Sequence, residues 1–189
     1  SISRGCDKFC TFCIVPFTRG RERSRSNGSI IREVQDAVKN GFAEITLLGQ
    51  NVNSYRTEEG KFPHLLEGVA LVPGVKRIRY MSPHPQDMDD HLLQVMSEHE
   101  NICNYVHLPL QAGSDRILKR MNRTYTKTEF LNLVDSIRDY MPDCSISTDI
   151  IVGFPGETKA EYEETLEVMN QVIFDRAFMF KYSSRPGTK

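Results

Sequence analysis

The stretch SISRGCDKFCTFC, residues 1–13, decides how this chain is interpreted, because it places a short strand directly before three cysteines. Cys6, Cys10 and Cys13 follow a CxxxCxxC spacing. Three thiolates at this spacing can hold a cubane iron–sulfur cluster through three of its four irons, whereas ordinary electron-transfer clusters take four cysteines. The fourth iron is then free for a substrate, as the open position of a catalytic zinc site is.

The alternative is a structural zinc site, which normally has four ligands and uses CxxC pairs. Cys103, Cys144 or one of the five histidines could supply a fourth ligand, but the sequence contains no second CxxC and no HxxxH pair. The triplet therefore favours a cluster. Cys103 and Cys144 are expected to be buried as small hydrophobic residues.

Composition favours one globular domain in a reducing compartment. The chain has 189 residues, 39% of them hydrophobic, and a formal net charge of -1. This charge gives no general reason to expect a polyanionic partner, so any RNA contact must come from a local basic patch. Five cysteines with three in one short loop suit a cytosolic metal site better than disulfides, and no apolar run is long enough to span a bilayer. We expect a soluble, cytoplasmic protein.

Beyond the cysteines, short aliphatic runs alternate with amphipathic helical stretches, which is typical of parallel βα units. The six strand candidates are residues 1–3, 44–48, 77–81, 105–108, 145–152 and 177–182. Six units fall short of the eight of a closed barrel. We predict an α/β fold, a partial six-unit TIM-like barrel with parallel strands, and the alternative is a doubly wound open sheet.

Two of the predicted helices carry a capping box at their start, Thr126 with Glu129 and Thr158 with Glu161. The stripes that follow them are predicted to face the core. The first comprises Phe130, Leu133, Val134 and Ile137, and the second comprises Tyr162, Leu166, Met169 and Val172.

Five blocks in order resemble the radical S-adenosylmethionine (SAM) superfamily, and within it the methylthiotransferases, most closely the branch that acts on tRNA. They are SISRGCDKFCTFCIVPFTRGRERSR, LLGQNVNSY, MSPHP, HLPLQAGSDRILKRMNRTYT and STDIIVGFPGET. The resemblance implies that residues 1–189 are the radical SAM core domain, a partial (βα)6 barrel. The N-terminal methylthiotransferase domain and the C-terminal β-barrel domain of TRAM type would then be absent from this chain.

The resemblance also implies the chemistry. A [4Fe-4S] cluster would cleave SAM reductively to a 5'-deoxyadenosyl radical, and sulfur and a methyl group would replace hydrogen at C2 of N6-isopentenyladenosine near the tRNA anticodon. Alternative substrates are threonylcarbamoyladenosine in tRNA and an aspartate of a ribosomal protein. A radical SAM enzyme of another reaction type and a non-catalytic zinc-dependent RNA-binding module remain open.

Several residues match positions that hold SAM in this family. Gln111 and Arg123 match contacts to the ribose and the methionine carboxylate, for which a guanidinium fork is suited. Asp149, alone in an apolar strand, would bind the ribose hydroxyls. The alternatives are a solvated charge for Arg123 and a buried salt bridge for Asp149. Gly153 and Phe154 lie in a turn whose backbone would approach the adenine.

Weaker signals surround these residues. Gly49, Gln50 and Asn51 resemble the turn that binds the methionine amino group, although amides and glycine are also ordinary loop residues. Phe12 would pack beside the cofactor or in the core. His84 would face the site or stiffen its loop.

A basic stretch follows the cysteines, with Arg19, Arg21, Arg23 and Arg25 alternating in TRGRERSR. Four arginines so near the chemistry are expected to bind phosphates of the tRNA anticodon loop, where the target base is extruded. The alternative is a solvated loop with internal ion pairs. The cluster also needs an electron, so a reducing protein such as flavodoxin or ferredoxin is an expected partner.

Overall fold

The computed structural model describes residues 1–188, which form nine strands and seven helices within that range. The strands are β1 (Ser3–Arg4), β2 (Arg23–Ser24), β3 (Glu44–Leu47), β4 (Arg56–Thr57), β5 (Gly60–Lys61), β6 (Arg77–Tyr80), β7 (Tyr105–His107), β8 (Ser145–Val152) and β9 (Arg176–Lys181). The helices are α1 (Val15–Arg19), α2 (Asn27–Lys39), α3 (Phe62–Ala70), α4 (Asp90–Glu98), α5 (Asp115–Arg120), α6 (Lys127–Tyr140) and α7 (Lys159–Val172).

The long strands form a partial parallel barrel. β3 pairs with β6, and β7, β8 and β9 pair in that order, all in parallel. A parallel bridge between Ile78 and Ile102 joins the two groups, and the Ile2 amide donates to the Leu48 carbonyl over 2.8 Å, which adds β1 beside β3. The predicted partial barrel is therefore confirmed in its parallel strands.

The hydrophobic core lies between the strands and the surrounding helices. Ile78, Val106 and Ile146 are buried from the strands, and Leu65 and Leu92 are buried from α3 and α4. Because successive side chains of a strand point to opposite faces, the neighbours of these apolar residues point into the barrel. The barrel interior of β7 and β8 is consequently lined by polar side chains.

The predicted strand bounds are within one or two residues of the observed ones, and residues 145–152 match β8 in full. The basic stretch differs from the expected loop, because Arg23 and Ser24 form β2, which pairs antiparallel with β1. The hairpin of β4 and β5 was not predicted. Both short pairings are local additions outside the parallel barrel.

The two capping boxes are confirmed at Thr126 and Thr158. The second predicted stripe is confirmed in half of its residues. Tyr162 and Leu166 on α7 are each 39% exposed, whereas Val172 is buried and Met169 packs partly buried against the core. The buried face of α7 also includes Thr165, whose hydroxyl accepts a hydrogen bond from the Gly113 amide over 2.8 Å. A polar contact to backbone therefore joins the apolar contacts that orient this helix.

Cys144 is buried as predicted, and burial raises the pKa of its thiol to about 11. Cys103 is only partly buried, which corrects the expectation for that residue. No helix in the described part of the chain has the length and apolar content needed to cross a membrane.

Candidate cofactor site at the barrel mouth

The three cysteines lie in a loop that follows β1, defined here as the cysteine loop (residues 6–13). All three are partly buried, as free thiols. The Cys13 amide donates to the Cys10 carbonyl over 3.0 Å, and the Cys6 amide donates to the Gly20 carbonyl over 3.2 Å. Backbone hydrogen bonds thus shape the loop at both ends without using the sulfur atoms.

The cysteine loop is held from outside by the end of α5. The Thr11 amide and hydroxyl donate to the carbonyls of Met121 and Arg120 over 3.1 and 3.0 Å. The Asn122 side-chain amide donates to the Lys8 and Phe9 carbonyls over 3.1 and 3.0 Å. We call these four hydrogen bonds the α5 latch. It fixes the backbone of the loop from the side of α5.

Gly5 sets the entry to the loop. Its φ is +83°, and an added Cβ would lie 2.2 Å from the Arg21 carbonyl oxygen, so only glycine fits. The Gly5 amide donates to Gln50 Oε1 over 2.7 Å. Gln50, expected at the cofactor, therefore holds the backbone just before the first cysteine.

The thiols suit a cluster better than one metal ion. Among the described residues, no three His, Cys, Asp or Glu side chains group closely enough to hold a single ion. Cysteines that each bind a different iron of a cubane need not converge in that way. Burial raises the pKa of the Cys6 thiol, opposed by the Lys8 amide and reinforced by Cys10.

Arg123 lies beside the cysteine loop and is not a solvated surface charge. Its Nη1 is 3.4 Å from Cys10 Sγ, its Nη2 donates to the Pro109 carbonyl over 3.3 Å, and its Nε donates to the Tyr125 hydroxyl over 3.0 Å. Burial lowers the pKa of Arg123, but contacts with Tyr125 and Cys10 raise it above its ordinary value overall. A permanent cation therefore faces one of the three sulfur atoms.

A cavity of about 380 Å³ opens at the carboxyl ends of the strands, next to the cysteine loop. Four of the predicted site residues or ligands line it together: Phe12, Cys13, Gln111 and Asp149. Tyr182, from just after β9, also lines it and was not predicted. The barrel mouth thus brings one cysteine, a carboxylate, an amide and three aromatic rings, those of Phe12, Phe180 and Tyr182, around one space.

Gln111 carries the clearest sign of a missing ligand. Its backbone is in the left-handed region at φ +70°, a strained conformation for a non-glycine residue that is often found at functional sites. Its Oε1 is buried and has no hydrogen-bond partner among the described residues. Since buried acceptors are nearly always paired, this oxygen fits a ligand that donates a hydrogen bond.

Asp149 lies at the cavity and contacts a histidine of the neighbouring strand. Its side chain is 30% exposed and lines the cavity, and its Oδ2 is 3.2 Å from His107 Nε2. His107 belongs to the HLPLQ block but was not singled out from the sequence. A histidine at the end of a three-residue strand gives no periodic signal by itself.

The other predicted cofactor residues lie around this cavity without lining it. Phe154 packs edge to face against Tyr182 at 5.2 Å, and Gly153 has φ +71° in the preceding turn. Asn51 donates to Asp87 Oδ2 over 2.8 Å, and its Oδ1 is a second buried acceptor without a partner among residues 1–188.

Gly49 and His84 have clear packing roles. A Cβ on Gly49 would lie 2.5 Å from Ser3 Oγ, so glycine permits the close approach of β1 and the loop after β3. His84 is buried, and its backbone exchanges two hydrogen bonds with the Asn53 side chain. Burial, helped by the nearby charges of Arg123 and Lys8, lowers the His84 pKa to about 2.

Two of the four arginines of the basic stretch form ion pairs within the protein. Arg25 is paired with Glu33 at 2.6 Å and bonds Ser29, and Arg21 is paired with Asp7 at 3.0 Å on the surface. Arg19 and Arg23 are exposed. Exposed pairs exchange readily with other anions, so Arg19, Arg21 and Arg23 are available to a polyanion, whereas Arg25 is tied to α2.

Comparison with known proteins agrees with this geometry. The profile of the radical SAM superfamily matches residues 1–169. This chain belongs to the radical SAM superfamily. Its cysteine loop, barrel and mouth cavity are therefore those of a radical SAM domain.

Relatives within the radical SAM superfamily are close in sequence. The chain is 54% identical over its full length to a tRNA-2-methylthio-N(6)-dimethylallyladenosine synthase from Porphyromonas gingivalis and 55% identical to one from Parabacteroides distasonis. It spans 42% of the length of each of these relatives.

The fold neighbours include a radical SAM methyltransferase from Kitasatospora setae, solved with cobalamin and a [4Fe-4S] cluster bound. The TM-score is 0.76 at 15% identity, over 95% of this chain and 35% of that one. This likeness shows the radical SAM fold.

Proposed function

We propose that this chain is the catalytic core of a radical SAM methylthiotransferase, which replaces hydrogen at C2 of N6-isopentenyladenosine in tRNA with sulfur and a methyl group. The observation that carries the proposal is the cavity that Cys13, Gln111 and Asp149 line together. The 54% identity to enzymes named for this product supports the substrate.

The residues present fit the cofactors of the superfamily. Cys6, Cys10 and Cys13 would hold the [4Fe-4S] cluster, and SAM would occupy the adjoining cavity. When bound, these cofactors supply reductive cleavage of SAM and a carbon radical that abstracts hydrogen. The chain itself supplies binding, orientation and exclusion of water.

Arg123 and four of the residues that line the cavity each have a defined task in this proposal. Arg123, a fixed cation beside Cys10, stabilises negative charge at the cysteine loop and is placed to bind a carboxylate through its planar fork. Gln111 Oε1 accepts a hydrogen bond from the ligand, and Asp149 accepts from ribose hydroxyls. Phe12 and Tyr182 flank the cavity with aromatic surface that shields the reacting atoms.

The substrate and the reductant would approach the same end of the barrel. Arg19, Arg21 and Arg23 would bind phosphates of the anticodon loop by charge alone, which positions RNA without reading its sequence. A flavodoxin or ferredoxin would supply the electron. The cytoplasm offers both tRNA and the reducing conditions that free thiols need.

We further propose that residues 1–189 are one core domain and that sulfur insertion requires the remaining domains of the longer relatives, an N-terminal methylthiotransferase domain and a C-terminal TRAM-type domain. On this view the core alone cleaves SAM. Methylthiolated tRNA produced by the isolated core would contradict this division of labour.

The test is anaerobic cluster reconstitution followed by reduction with SAM present. The wild-type chain is expected to become brown and to form 5'-deoxyadenosine. Cys10→Ala should abolish both, and Cys103→Ala, a cysteine outside the loop, should abolish neither. A colourless protein with zinc bound would overturn the proposal in favour of a zinc module. Mass analysis of tRNA nucleosides, made with the full-length protein, then identifies the modified base.

A further inference from the structure

Four polar side chains form a ladder inside the barrel, two from β7 and two from β8. Tyr105 and His107 alternate on β7, and Ser147 and Asp149 alternate on β8. The strands are in parallel register with His107 opposite Ser147. Alternate residues of paired strands share a face, so all four point into the barrel.

The ladder is continuous. The Tyr105 hydroxyl is 2.6 Å from Ser147 Oγ, Ser147 Oγ is 2.8 Å from His107 Nδ1, and His107 Nε2 is 3.2 Å from Asp149 Oδ2. Ser147 is 1% exposed, and the His107 side chain is 15% exposed. Exposure increases from Ser147 through His107 to Asp149, which lines the cavity.

The Asp149 carboxylate at the end of the ladder fixes the direction of its hydrogen bonds. An ionised carboxylate can only accept, so the hydrogen of a neutral His107 lies on Nε2. Nδ1 then accepts from the Ser147 hydroxyl, and Ser147 Oγ accepts from Tyr105. Each group thus donates toward the cavity, and one imidazole tautomer satisfies every hydrogen bond.

The ladder leaves Asp149 prepared for a ligand. Oδ2 is held by His107, whereas Oδ1 receives no hydrogen bond from any residue between 1 and 188. A carboxylate held at one oxygen cannot rotate freely about its terminal torsion, and each of its oxygens can accept more than one hydrogen bond. This arrangement matches a vicinal diol, which presents two adjacent hydroxyl donors.

We infer that His107 is a positioning residue, held by Ser147 and Tyr105, that orients the Asp149 carboxylate for the two ribose hydroxyls of SAM. The inference rests on the proposed function, because it takes the cavity as the SAM site. It adds three residues of the barrel interior to the determinants of nucleoside binding.

The first test measures discrimination between ribose and deoxyribose in the reconstituted holoenzyme. The probes are S-adenosylhomocysteine and its 2'-deoxy and 3'-deoxy analogues, and the measurement is the dissociation constant. The wild type is expected to bind each deoxy analogue about tenfold more weakly, since a hydrogen bond to a charged group is lost. His107→Phe keeps the ring but not its nitrogens, and should reduce this ratio to about threefold or less. Ser147→Ala should reduce it partly, and His64→Phe, on the exposed face of α3, should leave it unchanged.

The outcomes distinguish a failure of the inference about His107 from a failure of the proposed function. A His107→Phe protein that binds all three probes more weakly but keeps the wild-type ratio has lost only structure, and this overturns the inference while leaving the proposed function intact. A wild type that binds none of the probes overturns both. Near-ultraviolet circular dichroism establishes that each variant is folded.

The second test needs no ligand and no activity. Imidazole nitrogen chemical shifts of His107 in the cluster-free chain are expected to report the Nε2–H tautomer, and Ser147→Ala should allow both tautomers to be populated. A wild-type His107 that is Nδ1–H, or that averages between tautomers, would contradict the ladder.

Discussion

Lowering the pH is expected to destabilise this protein through His84 before the carboxylates titrate. His84 is 7% exposed, its Nδ1 accepts a hydrogen bond from the Gln86 amide, and Arg123 and Lys8 are nearby cations. The neutral ring therefore fits the site and the charged ring does not. In the unfolded chain the same ring is solvated and takes up a proton near pH 6.5.

The size of the effect follows from proton linkage. The folded-state pKa of His84, about 2, lies below the unfolded value, so the unfolded state binds more protons between these limits. The stabilisation is fully present above pH 6.5 and is lost progressively as the pH falls from that value toward the folded-state pKa of about 2. With the folded-state ring neutral throughout, the free energy of unfolding should fall by about 1.4 kcal/mol between pH 7.5 and pH 5.5 from this residue alone.

The assay is urea unfolding of the wild type and of His84→Asn at both pH values. Asparagine keeps an acceptor for the Gln86 amide but does not titrate in this range. Because the other four histidines are common to both proteins, the difference between their pH dependences isolates His84. Equal pH dependence in the two proteins would refute the assignment of a buried, neutral ring.

Three further substitutions test packing, capping and the site. Gly113→Ala should lower stability to urea by about 1–3 kcal/mol, because the new Cβ would lie 2.5 Å from the Glu164 carbonyl oxygen; an unchanged midpoint would show that α7 is free to move. Thr158→Ala should cost about 1 kcal/mol in thermal unfolding by removing an N-cap, and a loss within error would mean that the capping box is redundant. Arg123→Lys should weaken SAM binding about tenfold because the planar guanidinium fork is lost. Equilibrium binding measures this, with Lys119→Gln as an exposed control. Equal affinity of the two variants would show that Arg123 does not contact SAM.

The parallel barrel could be predicted because its signals are local and redundant. β8 is rich in β-branched residues and is bounded by turn residues, and its predicted bounds match. Capping boxes depend only on residues three apart, which is why both were found. Local patterns therefore account for the architecture.

The orientation of α7 could not be predicted in the same way. Its buried face carries Glu161 and Thr165, and Arg116 donates to Glu161 while Gly113 donates to Thr165. These partners are more than 40 residues away in sequence. Periodicity counts apolar side chains, so it assigned Tyr162 and Leu166 to the core.

The candidate site was likewise predictable only where the sequence carries a local motif. Motif resemblance named Gln111 and Asp149, and the structure places both at one cavity with Phe12 and Cys13. Motif resemblance could not name His107, because the role of that residue depends on the register between β7 and β8. The sequence also could not show that Arg25 forms an ion pair with Glu33, which distinguishes it from the three arginines that precede it in the basic stretch.

The α5 latch also has a consequence for the order of events on the ribosome. Thr11 is held by the Arg120 carbonyl, 109 residues further along the chain. At synthesis rates of about 5–20 residues per second, the cysteines are made roughly 5–20 s before the residues of the α5 latch. During that interval the cysteine loop has no partner on α5, and its final backbone shape must wait until the chain has passed Asn122.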